Sequence, residues 1–138
     1  MHIRTATTAD WPTLEALNHV IDYEQPKPFM LESVELGRVI IAELNGKPVG
    51  YGLWQIIWGN TPLLALVKVF PEDQRQGAGS ALVAEFEKRI SAEGFKNYIS
   101  STMANNPDGK AFHTKMGFEE IGTLNTQYGD ELFYKKDL

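Results

Sequence analysis

The run Leu63-Leu64-Ala65-Leu66-Val67-Lys68-Val69-Phe70 is apolar at every position except Lys68. Without alternation of polar and apolar residues, such a run describes a strand covered on both faces. The chain must therefore supply a layer on each side of a sheet. Pro71 ends the run, Gly77 and Gly79 follow, and Gly77 to Ala92 reads as an amphipathic helix closed by Gly94. A buried strand that passes through a glycine turn into a helix is what the rest of the fold has to accommodate.

The flanking segments supply the missing layers. His2 to Thr5 reads as a short strand, Thr8 to Asp10 offer helix caps, and Trp11, Leu14, Leu17 and Ile21 recur at helical spacing. Two prolines in Tyr23 to Phe29 break that helix, and Met30 to Leu36 forms a second one. Arg38 to Leu44 is a strand ending at Asn45-Gly46, a hairpin signal, and its partner runs from Pro48 to about Trp58. Gly59 to Pro62 make a second turn. Beyond the long helix, Lys96 to Thr102 is a strand, Pro107 to Met116 a short helix stopping at Gly117, and Phe118 to Leu124 and Glu131 to Lys135 are the last strands. The order β-α-α-β-β-β-α-β-α-β-β, with helices interrupting a mostly antiparallel sheet, is an α+β layer architecture. At 138 residues the expectation is one domain over 1–138.

Composition narrows the function classes. The chain has no cysteine, so it holds no disulfide framework, thiolate zinc site or cysteine nucleophile. Its formal net charge is -5 and its basic residues are scattered, which disfavours nucleic acid and fits a cationic small molecule or peptide. No window approaches the roughly 18 apolar residues of a membrane span, and the start MHIRTATTADW has no apolar core of signal-peptide length. A soluble cytoplasmic protein without a membrane partner is expected.

Three phosphate-binding readings compete for Gln74 to Ser80. A P-loop requires lysine after its last glycine, where this chain has Ser80 and Ala81. A dinucleotide fingerprint requires a third glycine at the position of Leu82. What survives is a run of backbone N–H groups at a helix start, bare of side chains at Gly77 and Gly79, suited to a pyrophosphate. The plain alternative is an ordinary strand-to-helix turn.

Gln74-Arg75-Gln76-Gly77-Ala78-Gly79 satisfies Gln/Arg-x-x-Gly-x-Gly/Ala, the signature of the GNAT family of acetyl-CoA-dependent N-acetyltransferases. Val67 to Pro71 resembles that family's strand into the loop, Ser80-Ala81-Leu82 its helix start, and the element order resembles it along essentially the whole chain. A second stretch, Asn106 to Phe118, resembles the family's other motif. Asn106 stands where an asparagine hydrogen-bonds the pantetheine arm, and Gly117-Phe118 match the end. The motif's tyrosine, which donates a proton to the departing thiolate, is His113 here. Histidine is shorter but is a competent acid when protonated; the bland alternative is a histidine that packs. Asn106 before Pro107 is also a plain N-cap, and Asn105 could take the same role.

The resemblance implies a GNAT-type mixed sheet flanked by helices on both faces. It implies acetyl-CoA as cosubstrate, no metal, and direct attack of a primary amine on the thioester in a ternary complex. Cofactor contacts fall on Val67, Val69, Gln74, Arg75, Gln76, Gly77, Ala78, Gly79, Ser80 and Asn106. The two strands flanking the cofactor would splay, and the Val69 N–H would polarise the thioester oxygen. No carboxylate lies on the strand before the loop, so a base comes from elsewhere or is water. Glu24 and Asp22 lie in the segment that borders the acceptor site in the family, and with Glu32 and Glu35 they form an acidic stretch or simply a solvated face. Tyr128 is a second candidate donor. Trp54, Ile56 and Trp58 wall an acceptor pocket or pack in the core, and Ser100, Ser101 and Thr102 line the acyl end or are ordinary strand-end hydroxyls. The short connection between the first helix and the second strand points to an open acceptor site, or one completed by a homodimer. The rival function is a non-catalytic acyl-CoA-binding module on the same fold; a pure interaction domain retaining only the fold is a third. The acceptor itself, a small molecule or a peptide amine, has no signature in these residues.

Overall fold

The computed structural model describes residues 1–20 and 25–138. Ile21, Asp22, Tyr23 and Glu24 lie outside the described residues. The strands are β1 (His2–Thr5), β2 (Val39–Leu44), β3 (Lys47–Ile57), β4 (Thr61–Val69), β5 (Asn97–Met103), β6 (Glu119–Thr126) and β7 (Gly129–Asp137). The helices are α1 (Trp11–Asn18), α2 (Lys27–Glu35), α3 (Ala78–Ala92) and α4 (Pro107–Lys115), with 3-10 turns at Thr8–Asp10 and Pro71–Asp73. The element order is the expected one. All strands join one seven-stranded sheet in the order β1-β2-β3-β4-β5-β7-β6, antiparallel throughout except for β4 beside β5.

Local chemistry fixes the boundaries. Arg4 grips Asp10 with two bonds of 2.8 and 2.7 Å, and Asp10 accepts the Thr7 N–H at 2.8 Å, which locks the entry into α1. Helix α2 begins at Lys27, earlier than expected, because Pro28 falls in the first turn, where a missing N–H does no harm. The β2–β3 hairpin turns on Asn45 and Gly46, with φ of 53° and 79°. The β3–β4 turn comes one step earlier than the Gly59-to-Pro62 expectation. Trp58 and Gly59 both adopt positive φ, and Thr61 and Pro62 already pair with Ile57 and Ile56 in the ladder.

Strand β2 shows how the layers are held. Val39 and Ile41 face α1 and α2, meeting Leu14, Leu17 and Met30. Ile40 and Ala42 face the other way, toward Leu82, Phe86 and Ile90 of α3. On the α3 side Phe86 packs between Trp54 and Tyr98, with ring centroids 5.4 and 4.9 Å apart. Trp54 is therefore a core residue, while Trp58 stands 85% exposed at the turn. The alternating tryptophans do not form a wall.

Candidate functional site

Strand β4 was expected to be buried on both faces, yet from Ala65 to Val69 every residue is only half-buried. The cause is a break in the sheet. β4 and β5 pair only at Leu63 with Ile99 and Leu64 with Ser100, whereas β5 stays paired with β7 from Asn97 to Met103. Past Leu64 the two strands diverge, and a cleft of about 700 Å³ opens between them, closed in by the start of α3 and by α4.

That divergence leaves backbone groups on β4 without sheet partners. Phe70 N–H donates to Val49 O on β3 at 2.9 Å. Because successive residues of a strand point their N–H groups to opposite edges, those of Val69 and Val67 face the edge that β5 has left. At the end of β4 the loop turns through Arg75 at φ 64° and Gly77 at φ 89°. For Arg75 that left-handed conformation is unusual. Gln74 Nε2 donates to Val69 O at 3.3 Å and ties loop to strand. The first bond closing onto the helix start is Ala81 N–H to Gly77 O, 3.0 Å, so the amides of Ala78, Gly79 and Ser80 lie ahead of it. The result is a concave row of N–H groups at a helix N-terminus. A Cβ at Gly79 would come within 3.4 Å of Phe112 and 4.0 Å of Val67, inside the cleft. These features fit the pyrophosphate and pantetheine arm of coenzyme A. Lys68, Arg75 and Lys115 line this cleft against one carboxylate, Asp108.

Asn106 caps α4: its Oδ1 accepts the Gly109 N–H at 3.0 Å and its Nδ2 reaches Thr102 Oγ1 at 3.4 Å. One Nδ2 hydrogen is left for a ligand. Gly109 is required where α4 crosses β5, since a Cβ there would overlap Thr102 Oγ1.

His113 lines the cleft but is 6% exposed and engaged at both ring nitrogens. Nδ1 lies 2.7 Å from Gly109 O and Nε2 2.8 Å from Ser100 Oγ, while the ring stacks on Tyr134 at 4.2 Å. A carbonyl only accepts, so Nδ1 carries a hydrogen. Burial pushes the imidazole pKa down, with the Gly109 bond acting in the opposite sense. In the neutral ring Nε2 is then an acceptor, sharing the single Ser100 hydroxyl hydrogen with Leu64 O, 3.2 Å from the same oxygen, and it has no proton to give. The Ser100–His113 contact was invisible in the sequence, although Ser100 was marked at the strand end.

On the α1/α2 side of the same break lies a second cleft of about 390 Å³, which shares Ala65, Leu66 and Ser101 with the first. Gln25, Gln55, Leu63 and Met103 line it, together with Leu124, Tyr128 and Glu131 from the β6–β7 hairpin. Sequence reading marked Ser101 and Tyr128 here. It missed Gln55 and Glu131, because nothing short of the β5–β7 register brings them together.

The sequence profile of the Acetyltransferase (GNAT) family matches residues 3–118. The chain belongs to the GNAT acetyltransferase family. Its fold is shared by a ribosomal-protein-alanine N-acetyltransferase from Brucella melitensis, 29% identical over 100% of both chains with a TM-score of 0.82. Naa50 of Arabidopsis thaliana, solved with the bisubstrate analogue CoA-Ac-MVNAL, is 18% identical over 99% of this chain and 98% of its own, TM-score 0.83. The PaiA N-acetyltransferase of Thermoplasma acidophilum, in complex with coenzyme A, is 19% identical over 99% and 98%, TM-score 0.80. No curated protein matches the chain. Among the described residues of this GNAT chain no group of acidic, histidine or cysteine side chains could hold a metal ion, and no helix is long and apolar enough to cross a membrane.

Proposed function

We propose that this GNAT chain, acting as one domain over 1–138, transfers an acetyl group from acetyl-CoA to a primary amine by direct attack. The observation that carries the reading is the break between β4 and β5 after Leu64, which opens a glycine-looped cleft on one face and a second cleft on the other. In this reading the amides from Gln76 to Ser80 and the Arg75 side chain take the pyrophosphate, with Gln74 holding the loop to the strand. The edges of Val67 and Val69 and the spare Asn106 hydrogen face the pantetheine arm. The Val69 N–H polarises the thioester oxygen, and the amine reaches the carbonyl from the second cleft. Proximity supplies much of the rate. The amine nitrogen bonds to the acetyl carbon, the carbon–sulfur bond breaks, and the nitrogen's surplus proton leaves with the thiolate or to water.

No dedicated acid is needed. A thiol near pKa 8.5 leaves readily at neutral pH, so His113 positions Ser100 rather than protonating sulfur. The acceptor class follows from the same economy. An α-amino group near pKa 7.7–8.0 is unprotonated in about a tenth to a sixth of molecules at pH 7, against fewer than about one in a thousand for a lysine-type amine near 10.4. A peptide α-amine is accordingly the first acceptor to try, and the 29% identity to the Brucella ribosomal-protein-alanine enzyme supports the same choice.

Thermal melting with CoA, acetyl-CoA, ATP and NAD tests the cofactor half: a rise confined to CoA species is expected. Release of free thiol from acetyl-CoA with alanine-initiated peptides tests the transfer half. Binding without thiol release over a broad amine panel would leave the chain as an acyl-CoA-binding module. No response to any CoA species overturns the reading.

A further inference from the structure

Five buried or partly buried carboxylates among the described residues have a cationic partner. Asp10 and Glu43 meet Arg4, Asp73 faces Lys47, Glu85 pairs with Arg89, and Glu87 with Lys136. Glu131 is the exception. It is half-buried on β7, its cross-strand neighbours are Met103 on β5 and Leu124 on β6, and no cation among the described residues reaches it. A carboxylate set between two apolar cross-strand neighbours, with no cation of the described residues at hand, gains nothing from its charge within the fold.

Its surroundings point to what completes it. Glu131 is the one charged side chain among the described residues lining the second cleft, where Tyr128 is the only other titratable group. Across the shared residues Ala65, Leu66 and Ser101, the first cleft carries Lys68, Arg75 and Lys115. With Asp108 set against those three, the described residues still leave the first cleft with an excess of positive charge and the second with a negative one, the first suited to an anion and the second to a cation.

We propose that Glu131 is the specificity-determining residue of the acceptor cleft, pairing with the positive charge of the incoming primary amine. The inference rests on the transferase reading for which amine is meant, but not for the existence of the cation site. Glu131 binds the ammonium form of the amine rather than deprotonating it. Its ion pair instead favours the charged amine, raising the pKa of the bound acceptor, so turnover climbs to its plateau at higher pH than the free amine would predict.

The test titrates the protein, CoA-free and CoA-loaded, with alaninamide and with lactamide, which replaces the ammonium by a hydroxyl. Backbone amide NMR signals of Met103, Leu124 and Glu131 report binding. Wild type should bind alaninamide about tenfold more tightly, a typical margin for a hydrogen bond to a charged group. Glu131→Gln should close that gap, leave CoA affinity unchanged, and melt no lower than wild type. Glu131→Asp should restore part of the gap. With alaninamide as acceptor, Glu131→Gln should raise KM about tenfold and move the rise of kcat to lower pH. Equal or undetectable binding of the two ligands by wild type overturns the proposal. So does a gap that persists in Glu131→Gln, or a lower melting temperature for that variant. If CoA fails to bind while alaninamide still distinguishes the variants, the transferase reading falls and the cation site stands.

Discussion

Gly79→Asp should make the protein more stable and disable cofactor binding at once. Gly79 lies in the first turn of α3 without a positive φ, and its added Cβ meets Phe112 at 3.4 Å, an ordinary contact. Replacing a helical glycine gains about 0.5–1 kcal/mol. A carboxylate in the first turn of a helix adds about 0.3–1 kcal/mol. For a chain of 138 residues each kcal/mol is worth about 3 °C of melting temperature, so the variant should melt about 3–6 °C higher. Against that, two pyrophosphate charges about 5 Å from the new carboxylate repel it by about 1.5 kcal/mol in total if fully solvated and about 6.5 kcal/mol at a surface-type dielectric of 20. Taking the middle of that range, about 4 kcal/mol, CoA affinity should fall roughly a thousandfold, less so at high salt. Calorimetric titration of CoA and a melting scan read both effects. Gly79→Asn, the same shape without the charge, separates repulsion from crowding. Unchanged CoA affinity in Gly79→Asp would mean the loop does not hold the pyrophosphate. A lower melting temperature would mean the cleft between Val67 and Phe112 is tighter than its geometry implies.

Two further outcomes bear on buried polar groups. The His113 pKa is depressed on folding, so the unfolded chain takes up a proton first as pH falls below about 6.5. Stability should therefore be full above that pH and decline down to the folded pKa; His113→Gln should flatten this part of the pH–stability curve, and an unaltered curve would refute the assignment. Tyr51 is fully buried, and its hydroxyl has no hydrogen-bond partner among the described residues. Tyr51→Phe should leave stability unchanged or raise it by about 1–2 kcal/mol in denaturant titration, and a clear loss would reveal a partner for that hydroxyl.

How much the sequence disclosed depended on whether the signal was local. The glycine turn, the Asn45-Gly46 hairpin and the amphipathic α3 each rest on contiguous residues, and all lie within a residue or two of their expected bounds. Helix α2 was misjudged by three residues at its start, since Pro28 reads as a breaker until its place in the first turn is known. The buried-on-both-faces reading of β4 erred for a different reason. Apolar residues from Ala65 to Val69 are equally at home under a helix or beside a ligand. Only the register of β4 against β5, fixed by residues some thirty-five positions apart, tells which. Glu131 and the Ser100–His113 contact belong to that same non-local class.

The break in the sheet also explains why so little catalytic side-chain chemistry is legible. A parallel pair that ends after two residue pairs exposes main-chain donors on β4 while β3 on the far side holds them rigid. An oxyanion contact from a strand amide requires no particular side chain, so the role proposed for the Val69 N–H would survive a change of its side chain. The same divergence connects the two clefts through Ala65, Leu66 and Ser101, small or apolar residues. Among the described residues the first cleft carries Lys68, Arg75 and Lys115 against Asp108, and the second carries Glu131. On the proposed reading the side chains choose the reactants and the backbone does the polarising. Mutations of those side chains should therefore act mainly on affinity, while disruption of the β3–β4 ladder beside Val69 should act on turnover.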